Sequence, residues 1–365
     1  MPVLRHSRVA RAGGIGVALL AAACTTPTPA APKLDLAPPP DTLQAPFHDA
    51  AGAVWLGPGR WALVSEGSGV VGLVDFPGRR IVPLGGPRTP ELKNPFALFR
   101  AADSLWVADW GLRRLTVWSS DGRFGRTLPA ADVTRGALPR MRDVESRFYV
   151  PMPSPPGRDR SGNHDSAAVV RTAPEFSRID TLVRLAPLDI AEIDADAGRR
   201  FERRVFSGAD QWGVLPDGSL WVARVYQNRV DWREPSGRWT TGQSLPDRVL
   251  EVTRADRELF LRTFPPELRS TAEQLPFAPI KPPFEAGFTS ADGLVWLQKS
   301  RSVVDSAGSW HVVDRRGHLV GEIRLRGFGR ILAAAAGTAL AIEPDSAGLR
   351  VLQIVVPPLV TQGAS

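Results

Sequence analysis

Short apolar runs, separated by glycine, proline and charged turn residues, recur along most of the chain. Residues 105–108 and 220–223 are apolar at consecutive positions, whereas a strand with one wet face would alternate. Within residues 102–128, two such runs are joined by a polar turn, and a second turn at residues 120–122 leads into a third short strand. The pattern predicts β-strands that are buried on both faces.

Six related units follow one another along the sequence. Their equivalent apolar positions are Trp61, Trp106, Phe148, Trp221, Trp296 and Leu340. Three of the five intervals match the ~40–45 residues of a four-stranded propeller blade, and two are longer by about 30 residues, too few for another blade. Each unit is preceded by another apolar stretch, such as residues 95–99 or 284–288, which supplies a fourth strand.

The predicted fold is therefore an all-β, six-bladed β-propeller of four-stranded antiparallel blades, spanning residues 47–358 and followed by a tail at 359–365. We expect the recurrent tryptophans to be core residues first, with ligand stacking as the alternative. The 34 glycines and 34 prolines fit a protein with many turns.

One motif resembles a known repeat. Residues 107–124, VADWGLRRLTVWSSDGRF, together with 228–232 and 348–352, are similar to the NHL-type repeat of six-bladed β-propellers. The resemblance implies the fold across residues 47–358. It implies no particular activity, because propellers include lyases, hydrolases and binding modules.

The last unit ends after residues 356–358, before a fourth strand has formed. A closed ring cannot leave that edge unpaired, so we expect part of residues 34–47 to supply the missing outer strand.

The longest connections are predicted to share one face. In an antiparallel four-stranded blade, the turn between the second and third strands and the link to the next blade emerge at the same end. Residues 151–166, 186–211 and 245–284 all occupy such positions. The last of these contains a capping-box pattern at 253–256 and a stop at 265–266, which predicts a helix between blades 4 and 5. Its apolar positions Leu259, Phe260 and Phe264 suit a lid.

Polar residues end the second strand of five units, on the same loop-rich face. They are Glu66, Asp109, Arg224, Lys299 and Glu343. Such a ring is a candidate binding face for a polar ligand or a cation. The alternative is a purely structural role in the turns, for example Asp109 with Arg113 or Arg114.

The N-terminus has the pattern of an export signal. Arg5, Arg8 and Arg11 precede the short apolar run 15–20 and three alanines, which predicts a signal peptide over residues 1–23. Residues 20–24 resemble a bacterial lipobox, which implies acylation of Cys24, the single cysteine of the chain. Ordinary cleavage after the alanines, giving a soluble secreted or periplasmic protein, is the alternative.

Residues 24–46 are rich in proline, threonine and alanine and are predicted to be an extended tether behind the lipid. The lipoprotein resemblance implies an outer-membrane location facing the periplasm, because Thr25 follows the cysteine where an aspartate would signal retention. The membrane contact would be made through the N-terminal lipid.

Charge adds little to this interpretation. The formal net charge is +7, but three of the arginines lie in the predicted signal peptide, and the rest are interspersed with carboxylates. We therefore do not expect nucleic acid as a partner. The protein is expected to be a monomer.

Familiar catalytic motifs are missing from the sequence. GSGVVG at 67–72 is followed by a strand, so it predicts a hairpin turn and not a dinucleotide site. Asp159, Asn163 and Asp165, with Ser161, offer alternating oxygens of the kind that bind Ca²⁺, although the glycine is displaced and no closing glutamate follows. A solvated loop is the alternative, and no other cofactor is predicted.

The sequence thus predicts an exported, lipid-anchored propeller that binds a protein or a polar small molecule through its loop-rich face, without catalysis. The alternative is a hydrolase or lyase with a metal-assisted site at the channel mouth, for which Glu66, Asp109 and Glu343 would have to converge.

Overall fold

A computed structural model describes residues 31–37, 42–86, 89–153, 166–195, 198–327, 329–346 and 348–359. Two short strands come first, β1 (Lys33–Leu36) and β2 (Thr42–Ala45). Blade 1 follows with β3 (Gly52–Gly57), β4 (Arg60–Ser65), β5 (Val70–Asp75) and β6 (Arg80–Pro83). Blade 2 contains β7 (Pro95–Ala101), β8 (Ser104–Asp109), β9 (Arg114–Ser119) and β10 (Phe124–Pro129). Blade 3 contains β11 (Met141–Arg142), β12 (Phe148–Met152), β13 (Ala168–Thr172) and β14 (Ile179–Arg184).

A separate hairpin comes next, β15 (Ile190–Ala195) and β16 (Gly198–Arg203). Blade 4 contains β17 (Gln211–Val214), β18 (Leu220–Arg224), β19 (Arg229–Arg233) and β20 (Trp239–Thr240). The helices α1 (Arg254–Arg262) and α2 (Arg269–Glu273) precede blade 5, which is formed by β21 (Phe284–Thr289), β22 (Val295–Lys299), β23 (Ala307–Val313) and β24 (Leu319–Arg326). Blade 6 contains β25 (Arg330–Ala335), β26 (Thr338–Asp345) and β27 (Gly348–Val355).

These sheets form the predicted six-bladed propeller. Within each blade the consecutive strands pair antiparallel, and the first strands of the blades contact one another around the central axis. The six equivalent apolar positions are all buried: Trp61, Trp106, Phe148, Trp221, Trp296 and Leu340. They pack in four of the clusters that join neighbouring blades, which is why the strands are apolar on both faces.

The ring closes through the N-terminal segment, as predicted. The strand β2 pairs antiparallel with β27, with Thr42 opposite Leu352, and so supplies the fourth strand of blade 6. In addition, β1 pairs in parallel with β24 and gives blade 5 a fifth strand.

The tether prediction for residues 24–46 is therefore wrong for its second half. Leu36 and Leu43 are buried in the clusters of blades 5 and 6. Alternation of polar and apolar residues in KLDL and TLQA lets these short segments pair at a sheet edge despite the surrounding prolines.

The two described insertions lie on the same end of the propeller and contact each other. A short β-bridge joins Val205, after the β15–β16 hairpin, to Phe277, after α2. The helix α1 begins with the predicted capping box, formed by Thr253 and Asp256. Its Phe260 contacts Phe206 and Phe277, whereas Leu259 is 55% exposed and does not contribute to the packing as expected.

No helix in the described part of the chain is long and apolar enough to cross a membrane.

Candidate functional site

The five polar residues that end the second strands are held mainly by local partners. Asp109 is fully buried, and its carboxylate accepts backbone N–H groups of Lys93 (2.8 Å), Asn94 (3.0 Å) and Leu112 (3.1 Å). These bonds fix the turn after β8 and the entry to β7. The expected partners Arg113 and Arg114 do not bond to this carboxylate in the described residues.

Arg224 belongs to a buried charge network. Its guanidinium lies 2.9 Å from Asp210 and 3.4 Å from Asp231, and it donates to the carbonyl of Arg184 at 3.1 Å. Asp210 in turn accepts the backbone N–H of Val225 at 2.9 Å. The group links blade 4 to the connection that precedes it.

Lys299 and Glu343 are also paired. The ammonium of Lys299 lies 3.0 Å from Asp247 and donates to the carbonyl of Pro246 at 3.1 Å. Glu343 accepts from Arg350 at 3.1 Å. Glu66 is exposed at the turn between β4 and β5, and its charge acts on Arg140. The structure therefore does not bring these five residues together, since four of them are engaged by partners of their own.

A different set of charged residues surrounds the channel mouth. Arg140 immediately precedes β11 of blade 3, Glu285 is the second residue of β21 of blade 5, and Arg330 begins β25 of blade 6. Each stands where an innermost strand starts, on the loop-rich face. Because blades 3 and 6 are opposite members of a ring of six, the two arginines enter the mouth from opposite sides.

Electrostatic coupling joins these residues across the blades. The negative charge of Glu66 in blade 1 acts on Arg140, and those of Glu285 and Asp49 act on Arg330. Arg330 is anchored, since it donates to the carbonyl of Ala50 at 2.6 Å.

Arg140 is less constrained than Arg330. Its guanidinium lies 5.7 Å from the ring centre of Phe96, a cation–π distance. Within the described ranges the Arg140 guanidinium has no hydrogen bond or ion pair, and the side chain is exposed at the mouth.

Arg140 and Glu285 are exposed at the mouth, and the surrounding protein shifts the pKa values of its charged groups. Loss of surrounding water lowers the pKa of Arg140 and of Arg330, and the nearby carboxylates oppose the effect. The same loss raises the pKa of Glu285, against the opposing charges of Lys281, Arg301 and Arg330. The pKa of Glu285 is thus raised by its surroundings even though cationic groups lie near it.

The residues of the mouth do not suit a bound metal ion. Among the residues that the structure describes, no three His, Cys, Asp or Glu side chains lie close enough to share one. Asp109 and Glu343 are engaged by their own neighbours, so they do not converge with Glu66 as a metal-assisted site would require. The candidate calcium ligands Asp159, Asn163 and Asp165 lie outside the described residues.

The residues of the mouth were not recognisable in the sequence. Arg140, Glu285 and Arg330 each stand alone before or within a first strand, far apart in the chain, and belong to no motif. The available signal was the apolar stretch that precedes each unit, because the strand that it forms is the innermost one of its blade.

Comparison with known proteins gives the fold but no family. No protein-family model matches the chain, and no curated protein matches it. Among solved structures, the chain is similar to a gluconolactonase from Xanthomonas campestris, with 13% identity over 90% of this chain and 99% of that one, and a TM-score of 0.48.

Two further structures are similar at the same level. A calcium-binding protein, regucalcin, from Agrobacterium tumefaciens has 11% identity, covers 90% of this chain and 98% of its own, and has a TM-score of 0.45. Virginiamycin B lyase from Staphylococcus aureus has 10% identity, coverages of 84% and 94%, and a TM-score of 0.43. At such identities the likeness concerns the fold alone.

Proposed function

We propose that the protein binds a small organic anion at the mouth of its channel, between Arg140 and Arg330, and that it releases this ligand unchanged. The observation that carries the proposal is the guanidinium of Arg140, which faces the mouth without a hydrogen-bonding or ion-pair partner among the described residues.

A guanidinium presents five donors in a fixed plane, which suits the two oxygens of a carboxylate. Hydrogen bonds to an ionised guanidinium are stronger than those between neutral groups, and the surrounding protein removes part of the water around both arginines, which lowers their pKa. Glu66 and Asp49 limit the negative charge that the ligand can carry, because their carboxylates would repel a large anionic group. A compact mono- or dicarboxylate is therefore the favoured ligand class.

The location belongs to the same proposal. We propose export through residues 1–23 and attachment to the outer membrane through an acylated Cys24, so that the propeller collects its ligand in the periplasm. Residues 1–30 lie outside the described part of the chain, and the basis of this proposal is the sequence pattern.

The binding proposal is tested with acetate, succinate and citrate as probes, by calorimetry and by the shift in melting temperature. Arg140→Gln should weaken binding of the best probe by about 10- to 100-fold, as expected for the loss of charge-assisted hydrogen bonds. Arg135→Gln, at another exposed arginine of the same connection, is the matched control. Equal affinities of the two variants would exclude Arg140 as a ligand-binding residue.

A second candidate function is acid–base catalysis by Glu285. The specific observation is that loss of water raises the pKa of its carboxyl group at the mouth, where it can hold a proton for transfer. Recovery of the bound probe unchanged after long incubation favours binding alone. Chemical conversion by the wild type that is abolished in Glu285→Gln favours catalysis.

A further inference from the structure

One inner-strand position of blade 3 holds a charged residue where other blades hold an aromatic one. In blades 1, 2 and 5 the innermost strand places Trp55, Phe99 or Phe288 opposite a buried tryptophan of the second strand. The equivalent residue of blade 3 is Arg142, which lies opposite Phe148. A cation at a position that otherwise takes an aromatic ring breaks the repeated pattern, and such breaks are expected at functional sites.

Aromatic rings surround Arg142 in the gap between blades 2 and 3. Its guanidinium carbon lies 5.2 Å from the ring centre of Trp106 in blade 2 and 5.5 Å from that of Phe148 in its own blade, both cation–π distances. Phe176, in the turn after β13, stacks on Phe148 with the ring centres 4.7 Å apart. The rings attract the cation, but they bring no negative charge to it.

A second arginine approaches the same tryptophan from the outermost strand of blade 2. Arg126 on β10 is exposed, and its guanidinium carbon lies 5.9 Å from the ring centre of Trp106. The pairing of β10 with β9 shifts register between Phe124 and Arg126, and such bulges re-aim side chains. Burial and the positive charge of Arg126 lower the pKa of Arg142, so the two cations repel each other.

The two arginines lack an anionic partner in the part of the chain that the structure describes. There, neither guanidinium makes a hydrogen bond or an ion pair, and the buried Nε of Arg142 has no acceptor. The adjacent acid, Asp143, is engaged elsewhere, since it lies 2.7 Å from Arg147 and accepts from Tyr149 at 2.8 Å. Buried polar atoms are almost always partnered, so an orphan N–H beside two like charges calls for an anion.

We propose that Arg126 and Arg142, with Trp106 beneath them, bind a phosphate group; we call this the blade 2–3 site. Two guanidinium groups match the two negative charges of a phosphate monoester, and their forks come from different blades. A tetrahedral oxyanion can accept from both forks, whereas one fork already fills the two oxygens of a carboxylate. A free phosphate ion and a phosphate ester share this chemistry.

The blade 2–3 site lies toward the face of short turns. Arg142 directly precedes the turn at 143–146, and Arg126 follows the turn at 120–123. Arg140 of the channel mouth stands two residues before Arg142 and lies on a different ring, that of Phe96. The phosphate site is therefore additional to the carboxylate site of the mouth, and separate variants distinguish the two.

The test uses the full chain in a buffer without phosphate, with inorganic phosphate, glycerol 3-phosphate and succinate as probes. Calorimetry should show saturable binding of a phosphate probe that succinate does not displace. Tighter binding of the ester identifies a phosphate group carried by a larger molecule, and tighter binding of the ion identifies free phosphate.

Arg126→Gln should weaken binding of the better phosphate probe by about tenfold or more, the usual effect of losing a charge-assisted bond. Because Arg126 is exposed, the fold should tolerate this change. Arg123→Gln is the matched control, since it removes the same charge from an exposed arginine just before β10, one that is paired with Asp121 at 3.0 Å. Arg142→Lys keeps the charge without the planar fork and should also weaken binding.

The affinity for succinate should be the same in Arg126→Gln as in the wild type, so failure at the mouth and failure at the blade 2–3 site give different results. The proposal is overturned if neither phosphate probe binds, if succinate displaces the bound phosphate probe, or if Arg126→Gln and Arg123→Gln bind phosphate alike.

Discussion

Buried carboxylates hold the turns of the loop-rich face. Asp109 accepts three backbone N–H groups, and Asp210 accepts those of Ala186 and Val225 at 2.9 Å each. Each carboxylate ties a strand end to the connection that enters its own blade. Buried carboxylates at the strand ends therefore fix the rim of the channel mouth. Only charged groups that make no such backbone hydrogen bonds can bind a ligand there.

The buried His311 should make the stability of the protein depend on pH. The folded pKa of His311 is about 4, because burial and Lys299 disfavour the imidazolium, while Glu322 and Asp247 partly oppose them. The unfolded value is about 6.5. Between these values the unfolded chain binds the proton and the folded chain does not, so stability is lost as the pH falls from about 6.5 to 4, by about 3 kcal/mol in all.

His311→Gln should remove this contribution. Urea unfolding at pH 7 and at pH 4.5 should show a fall in the free energy of unfolding that is smaller in the variant by about 2–3 kcal/mol. His318→Gln, at an exposed histidine beyond the next turn, is the control and should behave as the wild type. If the wild type and His311→Gln lose equal stability, His311 is not held neutral by the fold.

The sequence predicted the burial of the core residues but not the positions of the charged residues at the channel mouth. Trp106 and Trp221 repeat in context, so their burial followed from the pattern. Arg140 and Arg330 are separated by most of the propeller and have no repeated context. Only closure of the ring places them on opposite sides of one opening, and no local pattern encodes that distance.

At the scale of elements, the N-terminal strands show how pairing overrides composition. The prolines before β1 and around β2 suggested a tether, yet β2 fills the open edge of blade 6. The need for such a strand was predictable, because without it the last long, apolar strand of the ring would leave its backbone N–H and C=O groups unpaired. The parallel addition of β1 to blade 5 was not predictable, since that blade already has four strands.

The closing strand can be tested at one side chain. Leu43 on β2 is buried against blade 6, so Leu43→Ala should lower the free energy of unfolding by about 2–4 kcal/mol. Gln44→Ala, on the exposed face of the same strand, should change it by about 0.5 kcal/mol or less. Urea unfolding followed by tryptophan fluorescence measures both. Equal, small effects would mean that β2 does not close the ring in solution.

On the scale of the whole molecule, the propeller is strongly asymmetric. The described insertions all emerge on one face, where Lys281 lies 2.5 Å from Asp256 and donates to the carbonyl of Arg301 at 2.8 Å. This buried pair fastens the start of α1 to the segment entering blade 5. The pair therefore anchors the helical insertion on the face that carries the channel mouth.

The N-terminal strands β1 and β2 belong to blades 5 and 6, so any anchor upstream of them would be joined to that side of the ring.

The single cysteine makes this anchor testable. We predict that growth with a fatty-acid analogue labels the wild type and not Cys24→Ser. Thr25→Asp should keep the label but move the protein from the outer-membrane to the inner-membrane fraction, since the residue after the lipidated cysteine governs sorting in the resembling lipoproteins. Labelling that persists in Cys24→Ser would place acylation elsewhere, and an unlabelled wild type in a soluble periplasmic fraction would favour ordinary cleavage at residues 21–23.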